Sequence, residues 1–284
     1  MPTIRITLAY EGTDFAGWQH QRNGLSVQEV LETALQQIVG HPVACRAAGR
    51  TDSGVHALGQ VVTFQVGSIV ASAHPRGSGE ENAQLDAAAA PFALESAPRQ
   101  LSIRSLVHGT NYHLPKTVRV LAAQVAADDF DARFSASGKL YRYQLWNAET
   151  ESPLHYRTHW HVRAALDIEA MRRAAQLLVG HHDFRAFRAA NCERKTTDRT
   201  VRRLAVFHQV GCAEAIHIEV EGTAFLRNMV RIIAGTLVYV GRGKLTEAHV
   251  ATLLRSGDRS LAGPTAPAGG LVLCRVDYGP RVGL

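Results

Sequence analysis

Apolar and polar residues alternate near the start of the chain, with apolar side chains at every second position from Ile4 to Tyr10. A period of two residues is typical of a β-strand with one buried face. Comparable patterns predict five further strands, at residues 62–66, 140–146, 203–207, 216–220 and 271–276. The predicted strands therefore occur in both halves of the chain.

Helices are predicted where the apolar period lengthens to three or four residues. Ser26 is a good N-cap, Glu29 completes a capping box, and Gly40 ends the pattern. A second helix is expected from a cap at Asp167 to Gly180. Strands and helices in this order, twice, predict an α+β fold with two related α/β halves.

Residues 71–108 differ from this pattern because large apolar residues are rare there and Gly, Pro and Ala are frequent. Such a composition favours a flexible insertion at the surface. We expect an N-terminal half at residues 1–127, which includes the insertion, and a C-terminal half at residues 128–284.

Composition indicates a globular protein of 284 residues, with 46% hydrophobic and 20% charged residues. Residues 1–6 resemble a strand and no signal peptide, and the apolar stretch at residues 232–240 is too short to span a bilayer. Four scattered cysteines without a C-x-x-C pair favour reduced thiols. We therefore expect a cytoplasmic protein without a membrane segment, and no metal site. The net charge of +6, mostly from arginine, is compatible with a nucleic-acid partner without requiring one.

The loop at residues 48–57 is the strongest candidate for chemistry. Gly49 and Gly54 bracket Arg50-Thr-Asp52 and permit unusual backbone geometry. A cation next to a carboxylate favours its charged form, so Arg50 can keep Asp52 ionised. A turn in which Asp52 caps a backbone amide is the ordinary alternative for a short fragment of this kind.

The longer string Gly49-Arg-Thr-Asp-Ser-Gly-Val-His-Ala57 closely resembles the signature of the TruA family of tRNA pseudouridine synthases. Other stretches resemble the family in the same order along the chain: Tyr10–Gln19, Asn111–Pro115, Phe130–Phe134, Lys139–Tyr143, Phe225–Arg231 and Thr265–Leu271. The resemblance covers nearly the whole chain outside residues 71–108.

The resemblance implies the pseudouridine synthase fold, in which mixed, mainly antiparallel sheets of the two halves join around a central RNA-binding cleft. It also implies an enzyme that converts uridine to pseudouridine at positions 38, 39 and 40 in the anticodon stem-loop of tRNA. The reaction is an isomerisation and needs no cofactor. The family further implies a homodimer in which one tRNA touches both subunits.

Residue roles also follow from the resemblance. Asp52 corresponds to the essential acid, which either attacks the anomeric carbon or removes a ribose proton; the sequence leaves both routes open. Tyr141 corresponds to the active-site tyrosine, whose ring can stack on uracil and whose hydroxyl could help to remove the carbon 5 proton. Arg231, with Arg50, is expected to keep Asp52 charged, and Leu271 is expected to line the uracil pocket.

Ordinary structural explanations compete with two of these roles. A strand tyrosine such as Tyr141 is usually a core residue. Arg231 lies off the apolar stripe of its helix, on a side shared with Ala234 and Gly235, and can be a solvated arginine. The small neighbours would allow another chain segment or a ligand to approach closely.

Two other functions are compatible with parts of the sequence. A non-catalytic RNA-binding module would have no need of Arg50, Asp52 and Tyr141 together. A nucleoside hydrolase or glycosidase should show a second catalytic carboxylate or a metal cluster, and the sequence shows neither. The enzyme acting on tRNA is therefore the preferred interpretation.

Overall fold

The computed structural model describes residues 2–67, 69–70, 101–190, 192 and 195–279. The strands, in chain order, are β1 (Thr3–Tyr10), β2 (Arg46–Ala47), β3 (His56–Gln65), β4 (Ile69–Val70), β5 (Leu101–Ser102), β6 (Val118–Val125), β7 (Gly138–Trp146), β8 (Trp160–His161), β9 (Gly180–Asp183), β10 (Asp198–Gln209), β11 (Cys212–Gly222) and β12 (Leu271–Asp277). The helices are α1 (Val27–Val39), α2 (Ile103–His113), α3 (Ile168–Gln176), α4 (Met229–Gly241) and α5 (Glu247–Ser256).

One mixed sheet runs through the described part of the molecule in the order β6-β1-β3-β12-β7-β11-β10-β9. Strand β2 pairs with β3, and β8 pairs with β7. Neighbouring strands in this sheet are antiparallel except for β12 with β3 and β8 with β7. The predicted α+β fold with mixed, mainly antiparallel strands is confirmed.

The two halves of the chain share this sheet through β3 and β12. These strands pair in parallel over two residue pairs, His56 with Val272 and Ala57 with Leu273. We call this β3–β12 contact the seam. The proposed division after residue 127 falls between β6 and β7 in chain order, within a single sheet, and stays a prediction.

Helix α1 forms where its local signals predict it. The Ser26 side chain accepts a hydrogen bond from the Glu29 amide at 3.2 Å, and Gly40 ends the helix with a φ of 79°. Leu31 and Leu35 on its inner face are fully buried. Burial of each such side chain stabilises the fold by roughly 2 kcal/mol.

Helix α3 begins at its predicted cap but ends early. The Asp167 carboxylate accepts a hydrogen bond from the Ala170 amide at 2.9 Å. The helix stops at Gln176, so the prediction that it continues to Gly180 is wrong. Gly180 adopts a φ of 121° and starts β9, because a positive φ suits the change from turn to strand.

Most of the predicted insertion at residues 71–108 lies outside the described residues, but its last part is ordered. Residues 101–108 form β5 and the start of α2, so the prediction of a flexible insertion is wrong for them. The Ser102 hydroxyl caps α2 by accepting from the Ser105 amide at 3.0 Å. Leu106 is buried, and Gly109 lets α2 approach Ile38 of α1 so closely that a Cβ would lie 2.6 Å from the Ile38 side chain.

Helix α4 is buried along nearly its whole length, which agrees with its apolar sequence. Its 13 residues are fewer than a bilayer requires. None of the helices in the described ranges is long and apolar enough to cross a membrane.

Candidate active site at the seam between the two halves

The Asp52 loop is fixed by backbone hydrogen bonds, while its carboxylate stays accessible. The Trp18 amide donates to the Thr51 carbonyl at 3.0 Å, which ties the loop to the segment that follows β1. The Val55 amide donates to the Asp52 carbonyl at 3.1 Å and closes a tight turn, in which Gly54 has a φ of 77°. About a third of the Asp52 side chain (35%) is exposed. A fixed backbone with an open carboxylate suits a reactive group.

Two glycines explain how the segment that follows β1, which we call the first loop, can lie so close to the Asp52 loop. A Cβ on Gly12 would lie 2.0 Å from the Val55 carbonyl oxygen. A Cβ on Gly17, whose φ is 104°, would lie 2.8 Å from the Thr51 carbonyl oxygen. The segment Tyr10–Gln19 therefore supports the Asp52 loop directly.

A buried polar group under the loop was not anticipated from the sequence. The Tyr10 hydroxyl lies 2.8 Å from Thr51 Oγ1. Gln60 Nε2 donates to the Gly49 carbonyl at 2.7 Å and reaches the Tyr10 hydroxyl at 3.4 Å. Burial raises the pKa of Tyr10 to about 12, so the phenol is neutral. The alternation in β1 predicts Tyr10 as a core residue. The signal that was overlooked is its hydroxyl, because a buried hydroxyl needs a hydrogen-bond partner.

Tyr141 lies in β7, on the other side of the seam from the Asp52 loop. Only 9% of the residue is exposed, and the Phe225 ring packs perpendicular to it at a centroid distance of 5.2 Å. Burial raises the pKa of Tyr141, and the negative charge of Asp52 raises it further. The Tyr141 phenol is therefore neutral.

Leu271 is the first residue of β12 and lies opposite Tyr143 of β7. Leu273, two residues on, lies opposite Tyr141. Side chains of directly opposed residues in an antiparallel pair project to the same face of the sheet. Leu271 and Tyr141 therefore share one face, and Leu271 is buried. The structure thus brings Asp52, Tyr141 and Leu271 into the same region at the seam.

The arginine that lies beside Asp52 is Arg227 and not the expected Arg231. Arg227 Nε lies 3.8 Å from Asp52 Oδ1, with half of the Arg227 side chain exposed. Arg231 instead donates from Nε to the Ala266 carbonyl at 2.7 Å and from Nη1 to Asn228 Oδ1 at 3.1 Å. Asn228 has a φ of 61° and turns the chain just before α4, which separates the directions of the two arginines. The structure therefore does not pair Arg231 with Asp52.

The small residues beside Arg231 do admit another chain segment, as the sequence indicates. A Cβ on Gly235 would lie 1.9 Å from the Pro264 carbonyl oxygen. The Ala266 amide donates to the Arg231 carbonyl at 3.2 Å, next to the bond from the Arg231 side chain. Arg231 and Gly235 together fix the segment that leads to Leu271.

Arg50 is exposed, and its side chain makes no hydrogen bond or ion pair to Asp52 within the described ranges. The expected support of Asp52 by Arg50 is therefore not seen. Lys139 lies closer to the loop than the sequence indicates, since a Cβ on Gly49 would lie 3.4 Å from Lys139 Nζ. Its place in the Lys-x-Tyr-x-Tyr motif, two residues before Tyr141, was the available signal.

Similarity to known proteins identifies the family of this chain. The sequence profile of the tRNA pseudouridine synthase family matches residues 6–134 and 174–279. The chain belongs to the tRNA pseudouridine synthase family. It is 46% identical over 278 residues to tRNA pseudouridine synthase A of Myxococcus xanthus, an alignment that covers 98% of this chain and 92% of the relative. The enzymes of the same name from Syntrophotalea carbinolica (42% identity; 99% and 98% covered) and Paramagnetospirillum magneticum (41%; 98% and 96%) are also similar.

The match to the tRNA pseudouridine synthase family spans both sides of the seam. Asp52, Arg227, Arg231 and Leu271 lie within the matched ranges, whereas Tyr141 lies between them. The full-length relatives cover nearly the whole chain. The family thus includes both halves that build the candidate site.

Proposed function

We propose that this protein isomerises uridine to pseudouridine at positions 38, 39 and 40 in the anticodon stem-loop of tRNA. One observation carries the proposal: an accessible carboxylate, Asp52, stands on a fixed loop across the seam from the neutral phenol of Tyr141. Family membership supports the reaction and the substrate class.

The reaction breaks the bond between uracil N1 and ribose C1′ and forms a bond between C5 and C1′. A proton leaves C5 and a proton is gained at N1, so substrate and product are isomers and no oxidant or cofactor is consumed. Asp52 acts at the ribose carbon that carries the base. Its partial exposure gives the ribose access to the carboxylate, and the Arg227 guanidinium lies 3.8 Å from it.

The detached base must be retained while it turns, and we assign this task to Tyr141 and Leu271. The raised pKa of Tyr141 disfavours a phenolate, so stacking and hydrogen-bond donation are favoured over a role as the base at C5. Because only 9% of Tyr141 is exposed, full stacking requires a neighbour such as Phe225 to move. The target uridine must also leave its own stack to reach Asp52.

Recognition of the tRNA body requires arginines that are not already satisfied within the protein. We compare four arginines as possible phosphate contacts: Arg5, Arg22, Arg202 and Arg203. In the structure Arg203 pairs with Glu219, Arg202 donates to the Ser137 carbonyl at 2.9 Å, and the Arg5 guanidinium lies 4.5 Å from the Tyr278 ring centroid. Arg22 is exposed and has no hydrogen bond or ion pair among the described residues. We therefore favour Arg22 over the other three.

Two further properties are proposed on the family resemblance: a homodimer in which one tRNA touches both subunits, and a cytoplasmic location, where the substrate is found. Light scattering coupled to size-exclusion chromatography tests the dimer. A monomer, both free and with tRNA, would contradict it.

The reaction itself is tested with an unmodified tRNA transcript, by mapping pseudouridine at single-nucleotide resolution. Wild type is expected to modify positions 38 to 40, and D52N to form no product while still binding the RNA. The matched control is D129N, because Asp129 is an exposed aspartate remote from the seam in the connection after β6. D129N should keep wild-type activity.

No product with wild type, under conditions where the tRNA binds, would contradict the enzyme. Full activity of D52N would contradict the role of Asp52 while leaving the reaction in place. Loss of activity in D129N equal to that in D52N would show that the assay reports charge loss alone.

A further inference from the structure

The motif histidine, His56, is buried at the seam and has no part in the proposed chemistry. It is 4% exposed and follows Asp52 by four residues. Its ring contacts three separate loops. The Gly12 amide donates to Nδ1 at 2.9 Å, and Nε2 lies 2.9 Å from the Gly269 carbonyl and 3.1 Å from the Arg157 carbonyl.

These contacts define one tautomer of the ring. Because the Gly12 N–H must donate, Nδ1 is an acceptor and carries no proton. Because both partners of Nε2 are carbonyl oxygens, Nε2 carries the proton and donates to both. Both ring nitrogens are therefore used, and the two hydrogen bonds of Nε2 run to the C-terminal half.

The His56 backbone also lies in the seam. His56 pairs with Val272 as the first of the two residue pairs in the seam. The hydrogen bonds of the Asp52 loop described above run to β1, β3 and the segment after β1, within the N-terminal half, and across the seam Arg227 lies 3.8 Å from Asp52. Tyr141 and Leu271 belong to the C-terminal half. The distance from carboxylate to uracil pocket therefore depends on the seam.

Ion pairs hold the same junction from its outer side. The Arg157 guanidinium donates to Glu11 at 3.0 Å and also contacts Asp14, so the loop whose carbonyl accepts from His56 is tied to the first loop. The Glu11 carboxylate lies 3.4 Å from His56 Nδ1, which carries no proton, so this contact is not an ion pair. The inner hydrogen bonds and the outer ion pairs thus both link the loop at Arg157 to the segment after β1.

We propose that His56 is a positioning residue that sets Asp52 against the uracil pocket through the two hydrogen bonds donated by Nε2. The inference rests on the proposed function, since it concerns the geometry of that reaction. A displacement of about 1 Å at a reacting group can cost on the order of 100-fold in rate. Loss of the Nε2 bonds should therefore lower kcat more than it weakens tRNA binding.

Two substitutions separate the two sides of the ring. In H56N the amide oxygen can replace Nδ1 as acceptor for Gly12, but no donor reaches the carbonyls of Arg157 and Gly269. In H56Q the amide nitrogen can replace Nε2 as donor. H56N is expected to lose about 10- to 100-fold in kcat with KM little changed, and H56Q to recover most of that loss.

A matched control is H161N, because His161 Nε2 also bonds a backbone carbonyl, that of Ala148 at 2.8 Å, away from the seam. H161N should keep wild-type kcat and KM. Melting temperatures and tRNA affinity of all variants are measured beside the kinetics. If H56N does not fold, R157M serves instead, since it loosens the acceptor loop from the exposed side and should lower kcat with KM unchanged.

The outcomes distinguish this inference from the proposed function. An inactive wild type would contradict the function itself. With an active wild type, wild-type kcat in H56N would overturn the inference, as would an equal loss in H56N and H56Q. Should R157M replace H56N, unchanged kcat in R157M would overturn it too.

Discussion

Removal of the Tyr10 hydroxyl tests whether the Asp52 loop depends on the buried hydrogen bonds beneath it. In Y10F the ring and its packing remain, but Thr51 Oγ1 loses its partner at 2.8 Å, and Gln60 loses its weaker contact at 3.4 Å. Thr51 immediately precedes Asp52. The substitution therefore perturbs the support of the carboxylate without touching it.

The size of the effect follows from burial. A buried polar group left without a partner costs about 1–3 kcal/mol. Tyr10 is 4% exposed and Thr51 is 7% exposed, so we expect about 2 kcal/mol, and a fall of about 4–8 °C in Tm for a domain of this size. In the double variant Y10F/T51V both partners become apolar, and part of the lost stability should return.

The assay pairs urea unfolding with single-turnover pseudouridine formation. Y278F is the control, because the Tyr278 hydroxyl donates to the Ala132 carbonyl at 2.8 Å and is also largely enclosed. Both variants should lose stability. Y10F alone should lose about 10-fold in kcat, because its effect reaches the Asp52 loop.

Equal kcat in Y10F and Y278F would refute the reasoning, since it would show that the loop keeps its position without the Tyr10 bond. Stability of Y10F/T51V below that of Y10F would refute the assigned partner. In that case Thr51 would contribute through contacts other than the Tyr10 hydroxyl.

Three further results are expected. Glu219 is buried, which alone would raise its pKa, but it accepts hydrogen bonds from the guanidinium groups of Arg142 and Arg203, which lower it. E219Q should lower the free energy of unfolding in urea by about 2 kcal/mol, and R203Q, at the half-exposed partner, by less than about 1 kcal/mol. Equal losses in the two variants would contradict the argument. Burial, with the charges of neighbouring histidines, lowers the pKa of His159 to about 4, so the folded protein holds a neutral ring. The free energy of unfolding should then fall as pH decreases from about 6.5 toward 4. Between pH 8 and pH 5 this free energy should fall less in H159Q than in wild type. An equal fall in both proteins would exclude His159 as the cause. In G235A the new methyl group would lie 1.9 Å from the Pro264 carbonyl oxygen, so we expect the free energy of unfolding to fall by more than about 2 kcal/mol and kcat to fall as well. A wild-type Tm in G235A would contradict the close approach.

Elements that depend on neighbours in sequence were predictable. The cap at Ser26, the stripe of α1 and the stop at Gly40 are local, and the structure confirms each of them. The strand pattern of β1 likewise follows from alternation alone. In such segments the residues that form the element also carry its signal.

Helix α2 was missed because its evidence is tertiary. Its sequence offers one buried leucine, Leu106, while Gly109 and Thr110 weaken the helical pattern. Gly109 becomes meaningful only when Ile38 of α1 is known to lie against it. Close approach between two helices cannot be read from either helix alone.

The sequence predicted most residues of the candidate site, but it did not predict which of them contact one another. Motif resemblance found Asp52, Tyr141 and Leu271, and the structure brings them to the seam. It assigned Arg231 to Asp52, whereas Arg227 lies there, because the left-handed turn at Asn228 sets which side chain faces the loop. The buried contacts of Tyr10 and His56 were equally hidden, since they depend on which loops meet.

The place of β12 in the sheet has a consequence for the order in which the molecule is made. Strands β1, β3 and β6 leave the ribosome early and can pair with one another, because all three are neighbours in the sheet. The stretch of β3 at His56 and Ala57 stays uncovered until β12, the last strand of the described residues, has been synthesised. Asp52 lies just ahead of that stretch, so a nascent chain carries the carboxylate long before Tyr141 and Leu271 can join it at the seam. The candidate site is therefore complete only after β12 has paired with β3 and β7.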